Sequence, residues 1–294
     1  MAWTWEDRLL RLPDGRRLSY AMWGDPKGPP VVLMHGWPGS RLDGRLVEAA
    51  LGTRGIWLIV PERPGFGRSD PQPGRTLLDW SRDINALSDS LQLGRFAVIG
   101  YSGGAPYGLA CAYRIPDRLS GVAVVSGMAP LHTMRAMTSL PPHLSAIFAL
   151  CRRAPSVSLV PAGLMALGVR YFPEAIMRQA RLTAKGTDRV VLSRPSVSNI
   201  LKAGYSEGFR QGAQNVAYEV SLFSRHWGFS LDALPPGIHV YHGTSDRFVP
   251  VAMAHLFEAS LPASRCRFIA GAGHFWIVDH IGEVLDDLLS SHTL

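Results

Sequence analysis

The chain has 294 residues, which is near the size at which one hydrophobic core either splits or is extended by a large insertion. Its residues are 47% hydrophobic and 18% charged, a composition that excludes a disordered or fibrous protein. Its three cysteines, Cys111, Cys151 and Cys266, are widely spaced and lack CxxC spacing, so we expect buried thiols, no disulfide framework and no metal site.

The N-terminal segment MAWTWEDRLL contains acidic residues and has no basic region followed by an apolar stretch. It does not resemble a secretory signal, and we therefore expect a cytoplasmic protein. The longest nearly charge-free stretch, 154–169, is interrupted by Pro155, Pro161 and Gly163. It is shorter than the roughly 20 apolar residues of a spanning helix, so no membrane span is predicted.

The predicted elements begin with two strand-like runs, 9–12 and 17–23, which flank the turn residues Pro13-Asp14-Gly15 and indicate a hairpin. Short apolar runs follow at 31–34, 56–60, 96–99 and 122–125. They alternate with helical patterns at 42–51, 77–91 and 105–113. This alternation predicts a largely parallel sheet with helices on both faces.

The pattern changes between residues 131 and 228, where helical stretches are broken by prolines at 142, 155, 161, 173 and 195. We interpret this region as an inserted, mainly helical cap on a core formed by 1–130 and 229–294. Strand-like runs return at 238–241 and 267–270, each followed by a helical segment, the last at 281–289.

The segment GYSGG at 100–104 fits the pattern G-x-S-x-G and lies between a predicted strand and a predicted helix. A nucleophile on such a strained turn needs glycine neighbours, because side chains at Gly100 and Gly104 would clash with nearby backbone. Ser102 is therefore the candidate nucleophile. The alternative is a glycine-rich turn that merely joins two elements.

A serine hydroxyl needs a base to remove its proton, and that base needs a third group to orient it. Asp246 and His274 each follow a later predicted strand, which places both at the carboxyl edge of the sheet. The order Ser, Asp, His along the chain is the order this elbow motif uses. No carboxylate follows the strand 122–125, where the residues are SGMAP, so Asp246 is the preferred acid and His274 the general base.

The segment HGWPG at 35–39 follows another predicted strand and can direct a backbone N–H at a developing oxyanion. We expect the N–H groups of Trp37 and Gly103 to be the two donors. Taken alone, HGWPG is also compatible with an ordinary turn.

Four motifs agree in order and spacing with one family: HGWPGS at 35–40, PERPGFGRSD at 61–70, GYSGG at 100–104, and HGTSD with GAGH, which end at Asp246 and His274. The chain resembles the α/β-hydrolase superfamily over almost all of its length outside the cap. The resemblance implies an eight-stranded, mostly parallel sheet with an antiparallel second strand and a lid inserted after strand six. It assigns no catalytic role to Arg68 or Ser69, and Glu62-Arg63 departs from the aspartate that relatives often have before Pro-Gly.

HGWP also resembles the oxyanion motif of epoxide hydrolases. The nucleophile of those enzymes, like that of haloalkane dehalogenases, is an aspartate in the elbow, where this chain has Ser102. A serine nucleophile favours acyl transfer to water, and thus an esterase or lactonase that needs no cofactor. An acyltransferase, a perhydrolase or a proline iminopeptidase-like enzyme would use the same triad. A ligand receptor or a non-hydrolytic isomerase on this fold is an alternative of another class.

The cap contains 12 basic and 4 acidic residues, a net charge of +8, whereas the rest of the chain has a net charge of −1. One interpretation is a solvated basic face that maintains solubility. The other is attraction of an anionic substrate or an anionic lipid surface, with acyl groups entering a pocket lined by Phe148, Leu164 and Tyr171. We expect no nucleic-acid partner, because no binding motif is present.

Overall fold

The computed structural model describes residues 5–51 and 54–290. The expectation of no secretory signal rests partly on residues 1–4, which lie outside the described residues. The strands form one sheet, with the bounds β1 Glu6–Arg11, β2 Arg17–Gly24, β3 Pro30–Met34, β4 Trp57–Pro61, β5 Phe96–Tyr101, β6 Leu119–Val125, β7 His239–Gly243 and β8 Arg265–Ile269.

The strand order is β1-β2-β4-β3-β5-β6-β7-β8. Strand β2 is antiparallel to both of its neighbours, and every other pair in the sheet is parallel. The predicted eight-stranded sheet with an antiparallel second strand is confirmed. In a parallel sheet the loops after β3, β5, β7 and β8 leave at one edge, which is where the candidate site residues lie.

Helices cover both faces of this sheet, because alternate residues of its strands face opposite sides. Val98 of β5 belongs to the hydrophobic cluster beneath α1 (Trp80–Ser90), α2 (Ala105–Arg114) and α10 (Ala252–Ser260). Its neighbour Ile99 belongs to the opposite cluster, beneath α11 (Ile277–Ser290). The predicted layers of helix, sheet and helix are therefore confirmed.

Seven α-helices lie between β6 and β7, in the region that we call the helical insert, residues 131–228. They are α3 Met134–Ser139, α4 Pro142–Arg153, α5 Leu159–Tyr171, α6 Pro173–Thr183, α7 Gly186–Ser193, α8 Pro195–Gly208 and α9 Gln214–Ser224. Helix α9 is buried along most of its length, which ties the insert to the core. Within the described residues, no helix is both long enough and apolar enough to cross a membrane.

The predicted helix at 42–51 is wrong in type, because the chain forms two 3₁₀ turns there, Arg41–Leu46 and Glu48–Ala50. Their hydrogen bonds span three residues, as from the Asp43 N–H to the Ser40 carbonyl at 3.0 Å. The Asp43 side chain also turns back to accept from the N–H groups of Ser40 and Gly36, which tightens this turn against the 35–40 loop.

Candidate active site

Ser102 lies directly after β5, where the chain turns into α2. Its backbone has a φ of +53°, in the left-handed region that costs a non-glycine residue free energy. A Cβ at Gly104 would lie 2.1 Å from the carbonyl oxygen of Met34, so only glycine fits there. The local geometry is that of a sharp strand-to-helix elbow that projects one serine above the sheet edge.

His274 and Asp246 are held together in the loops after β8 and β7. The Nδ1 atom of His274 lies 2.7 Å from Oδ2 of Asp246. The other oxygen of Asp246 accepts from the N–H groups of Phe248 and Val249, each at 2.8 Å, so the carboxylate is fixed on both sides. A carboxylate accepts hydrogen bonds, so in the neutral imidazole Nδ1 is the donor to Asp246 and Nε2 is the nitrogen that can accept a proton.

A second histidine approaches the same carboxylate but differs in its environment. Nε2 of His242 lies 3.5 Å from Oδ2 of Asp246 and 2.9 Å from the Val249 carbonyl oxygen. Burial lowers the pKa of His242 below its ordinary value, more than the nearby carboxylate raises it. Of the two histidines, only His274 borders the cavity described next.

Ser102 and His274 line one cavity of about 290 Å³, together with Trp37 and Gly103. The predicted site residues at the sheet edge are thus brought to one place, with Asp246 directly behind His274. The remaining walls are mostly apolar and come from the core and from the insert: Gly36, Pro38, Gly39, Asp43, Tyr101, Met128, Leu140, Leu144, Phe148, Met165, Leu201, Tyr205, Val220, Phe223, Phe248, Val249, Met253 and Phe275.

Two of the three insert residues predicted to line this pocket do not do so. Phe148 borders the cavity, but Leu164 and Tyr171 are exposed on the outer face of α5. Met165, the neighbour of Leu164, borders the cavity instead. Successive helical residues point about 100° apart, so adjacent residues of one helix readily face opposite environments.

Trp37 and Gly103 lie side by side, as a pair of oxyanion donors requires. A Cβ at Gly103 would be 3.2 Å from the backbone nitrogen of Trp37. In residues 5–51 and 54–290, no backbone acceptor pairs with the Trp37 N–H, while the indole N–H of Trp37 donates to the Val216 carbonyl oxygen at 3.1 Å. The backbone N–H is therefore available to a ligand in the cavity.

Arg63, for which the sequence suggested no role, forms hydrogen bonds to the 35–40 loop that carries Trp37. Its guanidinium donates to the carbonyl oxygens of His35 at 2.6 Å and of Gly36 at 3.1 Å. It also pairs with Glu219 of α9 at 2.7 Å, and the hydroxyl of Tyr107 donates to the same carboxylate at 2.6 Å. All of these groups are buried, so the network fixes the 35–40 loop against the insert.

Asp43 is a carboxylate in the cavity wall that sequence reasoning missed. Its Oδ2 accepts from the Gly36 N–H at 3.1 Å, and burial raises its pKa to about 7. Burial and the charge of Asp43 also raise the pKa of Tyr205, another lining residue. Among the described residues, no lysine or arginine borders the cavity. A bound anionic group would therefore face a carboxylate and no cation.

The insert also accepts hydrogen bonds from the loop that carries His274. The carboxylate of Asp188, in the first turn of α7, accepts from the N–H groups of His274 and Phe275, each at 2.8 Å. The hydroxyl of Thr187 accepts from the Gly273 N–H at 2.9 Å. Asp188 is 2% exposed, and burial raises its pKa while these two hydrogen bonds oppose that rise.

The fit between the two segments is tight, because a Cβ at Gly273 would lie 2.2 Å from the Asp188 carboxyl carbon. No sequence signal indicates this contact, since Asp188 precedes His274 by 86 residues in a stretch with ordinary helical composition. The contact follows only from the way in which the insert folds back on the sheet edge.

A family model described as the α/β hydrolase fold matches residues 29–281. An uncharacterised protein of Mycobacterium tuberculosis is 26% identical over 291 residues, covering 94% of this chain and 78% of that protein. A thermophilic esterase from Thermogutta terrifontis has a TM-score of 0.68 at 21% identity, covering 98% of this chain and all of that chain. An enol-lactonase from Burkholderia xenovorans has a TM-score of 0.69 at 19% identity, covering 96% of this chain and all of that chain. Most of the chain is thus matched by the family model, and the solved structures share its fold: the chain belongs to the α/β-hydrolase fold family.

Proposed function

We propose that the protein is a serine hydrolase that cleaves a carboxylic ester or lactone through an acyl-enzyme intermediate. The observation that carries this proposal is the cavity that Ser102 and His274 both line, with Oδ2 of Asp246 lying 2.7 Å from Nδ1 of the His274 ring. The arrangement is the one expected of a nucleophile, a base and an orienting acid.

In the first half of the reaction, Nε2 of His274 takes the proton of the Ser102 hydroxyl as Oγ attacks the carbonyl carbon. The carbonyl π electrons move to the oxygen, whose negative charge the N–H groups of Trp37 and Gly103 stabilise. Collapse of this intermediate breaks the bond to the alcohol oxygen, and His274 returns the proton to that leaving group. Loss of one such donor typically costs about 10² to 10³ in kcat.

In the second half, His274 takes a proton from water, and the resulting hydroxide oxygen attacks the acyl carbon. The bond to Oγ of Ser102 breaks, His274 returns the proton to the serine, and the carboxylic acid leaves. Asp246 stabilises the imidazolium formed in both halves. No cofactor enters any of these steps.

We further propose that residues 131–228 act as a cap on a core formed by 1–130 and 229–294. The insert supplies Leu144, Phe148 and Met165 to the cavity wall, which supports a role in selecting the acyl or alcohol group. The absence of basic side chains from the described lining favours a neutral, apolar ester over an anionic one. A negatively charged group of a substrate would instead remain outside, toward the basic surface of the insert.

The test combines covalent labelling with turnover. Wild-type protein should react with a fluorophosphonate probe and hydrolyse members of a panel of neutral esters and lactones. Folded Ser102→Ala protein should lose the label and nearly all hydrolysis. Undiminished turnover in that variant would refute the proposal, whereas labelling without hydrolysis of any ester would direct assays to alcohols, peroxide or aminoacyl amides as the other reactants.

A further inference from the structure

The helical insert exposes an unusual amount of apolar surface. Of the fifteen large apolar side chains that are exposed in the described part of the chain, eleven belong to the insert. Four of them are Val160, Leu164, Leu167 and Tyr171 of α5, which are between 54% and 67% exposed. Their spacing of four, three and four residues places them on one face of the helix, and we call them the α5 stripe.

The stripe extends over about 17 Å, from the helical rise of 1.5 Å per residue. The other faces of α5 are used differently, since Ala162 and Val169 are buried in the protein and Met165 borders the active-site cavity. Helix α5 has no acidic residue, and its one charged residue is Arg170. A solvent-facing helix of a soluble protein normally presents polar side chains, so the stripe indicates a binding surface.

The insert that carries this apolar surface is also strongly basic. The insert has a net charge of +8, and the rest of the chain has −1. In the residues that the structure describes, the insert contains several exposed or partly exposed arginines that form no ion pair with a carboxylate, namely Arg152, Arg153, Arg170, Arg178 and Arg181. A second copy of this chain would bring +8 against +8, which disfavours self-association through this surface.

We propose that the helical insert docks on the surface of an anionic lipid bilayer, with the α5 stripe in the interface and the unpaired arginines of the insert on lipid headgroups. An apolar helical face flanked by basic side chains is the combination that lies in the plane of a membrane surface. Each basic residue near an anionic surface contributes enough to strengthen binding about fivefold. Because Met165 lies on the same helix as the stripe, docking places a wall of the cavity next to lipid.

This surface goes beyond the proposed hydrolase function, and its test needs no turnover. Full-length Ser102→Ala protein is sedimented with vesicles of phosphatidylcholine, with and without an equal share of phosphatidylglycerol. We expect binding to the anionic vesicles that weakens as salt rises, and at least tenfold weaker binding to phosphatidylcholine alone.

The double variant Leu164→Asn/Leu167→Asn should reduce partitioning to anionic vesicles by about 10- to 100-fold, because burial of each leucine contributes to binding. Arg178→Gln/Arg181→Gln should reduce it by about 10- to 30-fold. The matched control is Leu9→Asn on β1, an exposed leucine outside the insert, which should bind as the parent does. If the double leucine variant does not fold, Tyr171→Ser tests the same stripe.

Equal binding to neutral and anionic vesicles, or no binding to either, overturns the proposal. It is also overturned if the protein dimerises without vesicles and Leu164→Asn/Leu167→Asn disperses the dimer, because a second copy then covers the stripe. Failure here leaves the serine-hydrolase proposal standing if the wild-type protein hydrolyses esters. Conversely, lipid binding by a protein without hydrolytic activity would refute only the hydrolase proposal.

Discussion

Removing the carboxylate of Asp188 should impair catalysis, although Asp188 is not one of the three proposed catalytic residues, Ser102, Asp246 and His274. Its two hydrogen bonds fix the backbone of His274 and Phe275 at 2.8 Å each. Asp188→Ala leaves two buried N–H groups without an acceptor, at about 1 to 3 kcal/mol each in the free energy of unfolding. Relief of the burial that raises the pKa of Asp188 offsets part of this loss, so we expect a net cost of about 1 to 4 kcal/mol. A displacement of His274 by about 1 Å should lower kcat by roughly 100-fold.

Three variants remove different numbers of the hydrogen bonds that the insert accepts from the His274 loop. Thr187→Val removes one hydrogen bond to the Gly273 N–H, Asp188→Asn can keep only one of two, and Asp188→Ala keeps neither. We expect kcat to fall in that order, with KM nearly unchanged because Asp188 does not border the cavity. Glu174→Gln, at an exposed carboxylate of the same insert, is the matched control and should retain wild-type kcat.

Steady-state kinetics and the rate of fluorophosphonate labelling are measured well below the melting temperature of each variant. Normalising kcat to the number of probe-labelled sites separates the two explanations. A positioning role lowers kcat per labelled site, whereas a loss of folded protein lowers the number of labelled sites and leaves kcat per site unchanged. If folded Asp188→Ala protein has a kcat within twofold of wild type, then the insert does not position His274.

Three other variants test neighbouring parts of the site. Asp246→Asn should lower kcat by roughly 10⁴-fold, since an amide cannot stabilise the imidazolium; wild-type activity there would mean that another acid acts. Glu219→Gln should cost about 3 to 5 kcal/mol in urea unfolding, because it leaves the Arg63 charge buried with a weaker partner; an unchanged midpoint would contradict this. For Asp43, burial raises the pKa to about 7, so the folded protein holds a proton that the unfolded chain releases near pH 4. Wild-type stability should therefore fall between about pH 4 and 7, by up to about 1.4 kcal/mol per pH unit, and Asp43→Asn should remove that slope in thermal or chemical unfolding. Parallel pH profiles for the two proteins would show that Asp43 does not titrate in this range.

Much of the sheet and the proximity of the candidate site residues could be predicted because both depend on local sequence. Strands such as β5 are short apolar runs bounded by turn residues, and the register of parallel strands brings their following loops to one edge. Ser102 and His274 each come directly after a strand or its turn, so a correct strand assignment fixes their neighbourhood. Placement of the Trp37 N–H beside Gly103 follows from the same reasoning, because β3 and β5 are adjacent.

Contacts made by the insert could not be predicted in this way. Arg63 pairs with Glu219 across 156 residues, and Asp188 reaches the His274 loop across 86. Each contact depends on how the insert folds back over the sheet edge, and neither residue type nor local spacing encodes that orientation. The 3₁₀ turn at Arg41–Leu46 was missed for a different reason, because it depends on a side-chain hydrogen bond from the Gly36 N–H to Asp43 and not on hydrophobic periodicity.

Helix α5 shows most clearly why the remainder required the structure. Its sequence, LVPAGLMALGVRY, is apolar on nearly every face, so its periodicity does not indicate which face is buried. A stripe at 160, 164, 167 and 171 has the same spacing as a core-facing stripe, so spacing alone does not distinguish a pocket-lining Leu164 or Tyr171 from an exposed one. The structure turns Met165 toward the cavity and the stripe toward solvent. Since burial of this helix is already provided by Ala162 and Val169, the apolar character of the outer face has no role in the packing of the described chain, and a binding partner is what remains to account for it.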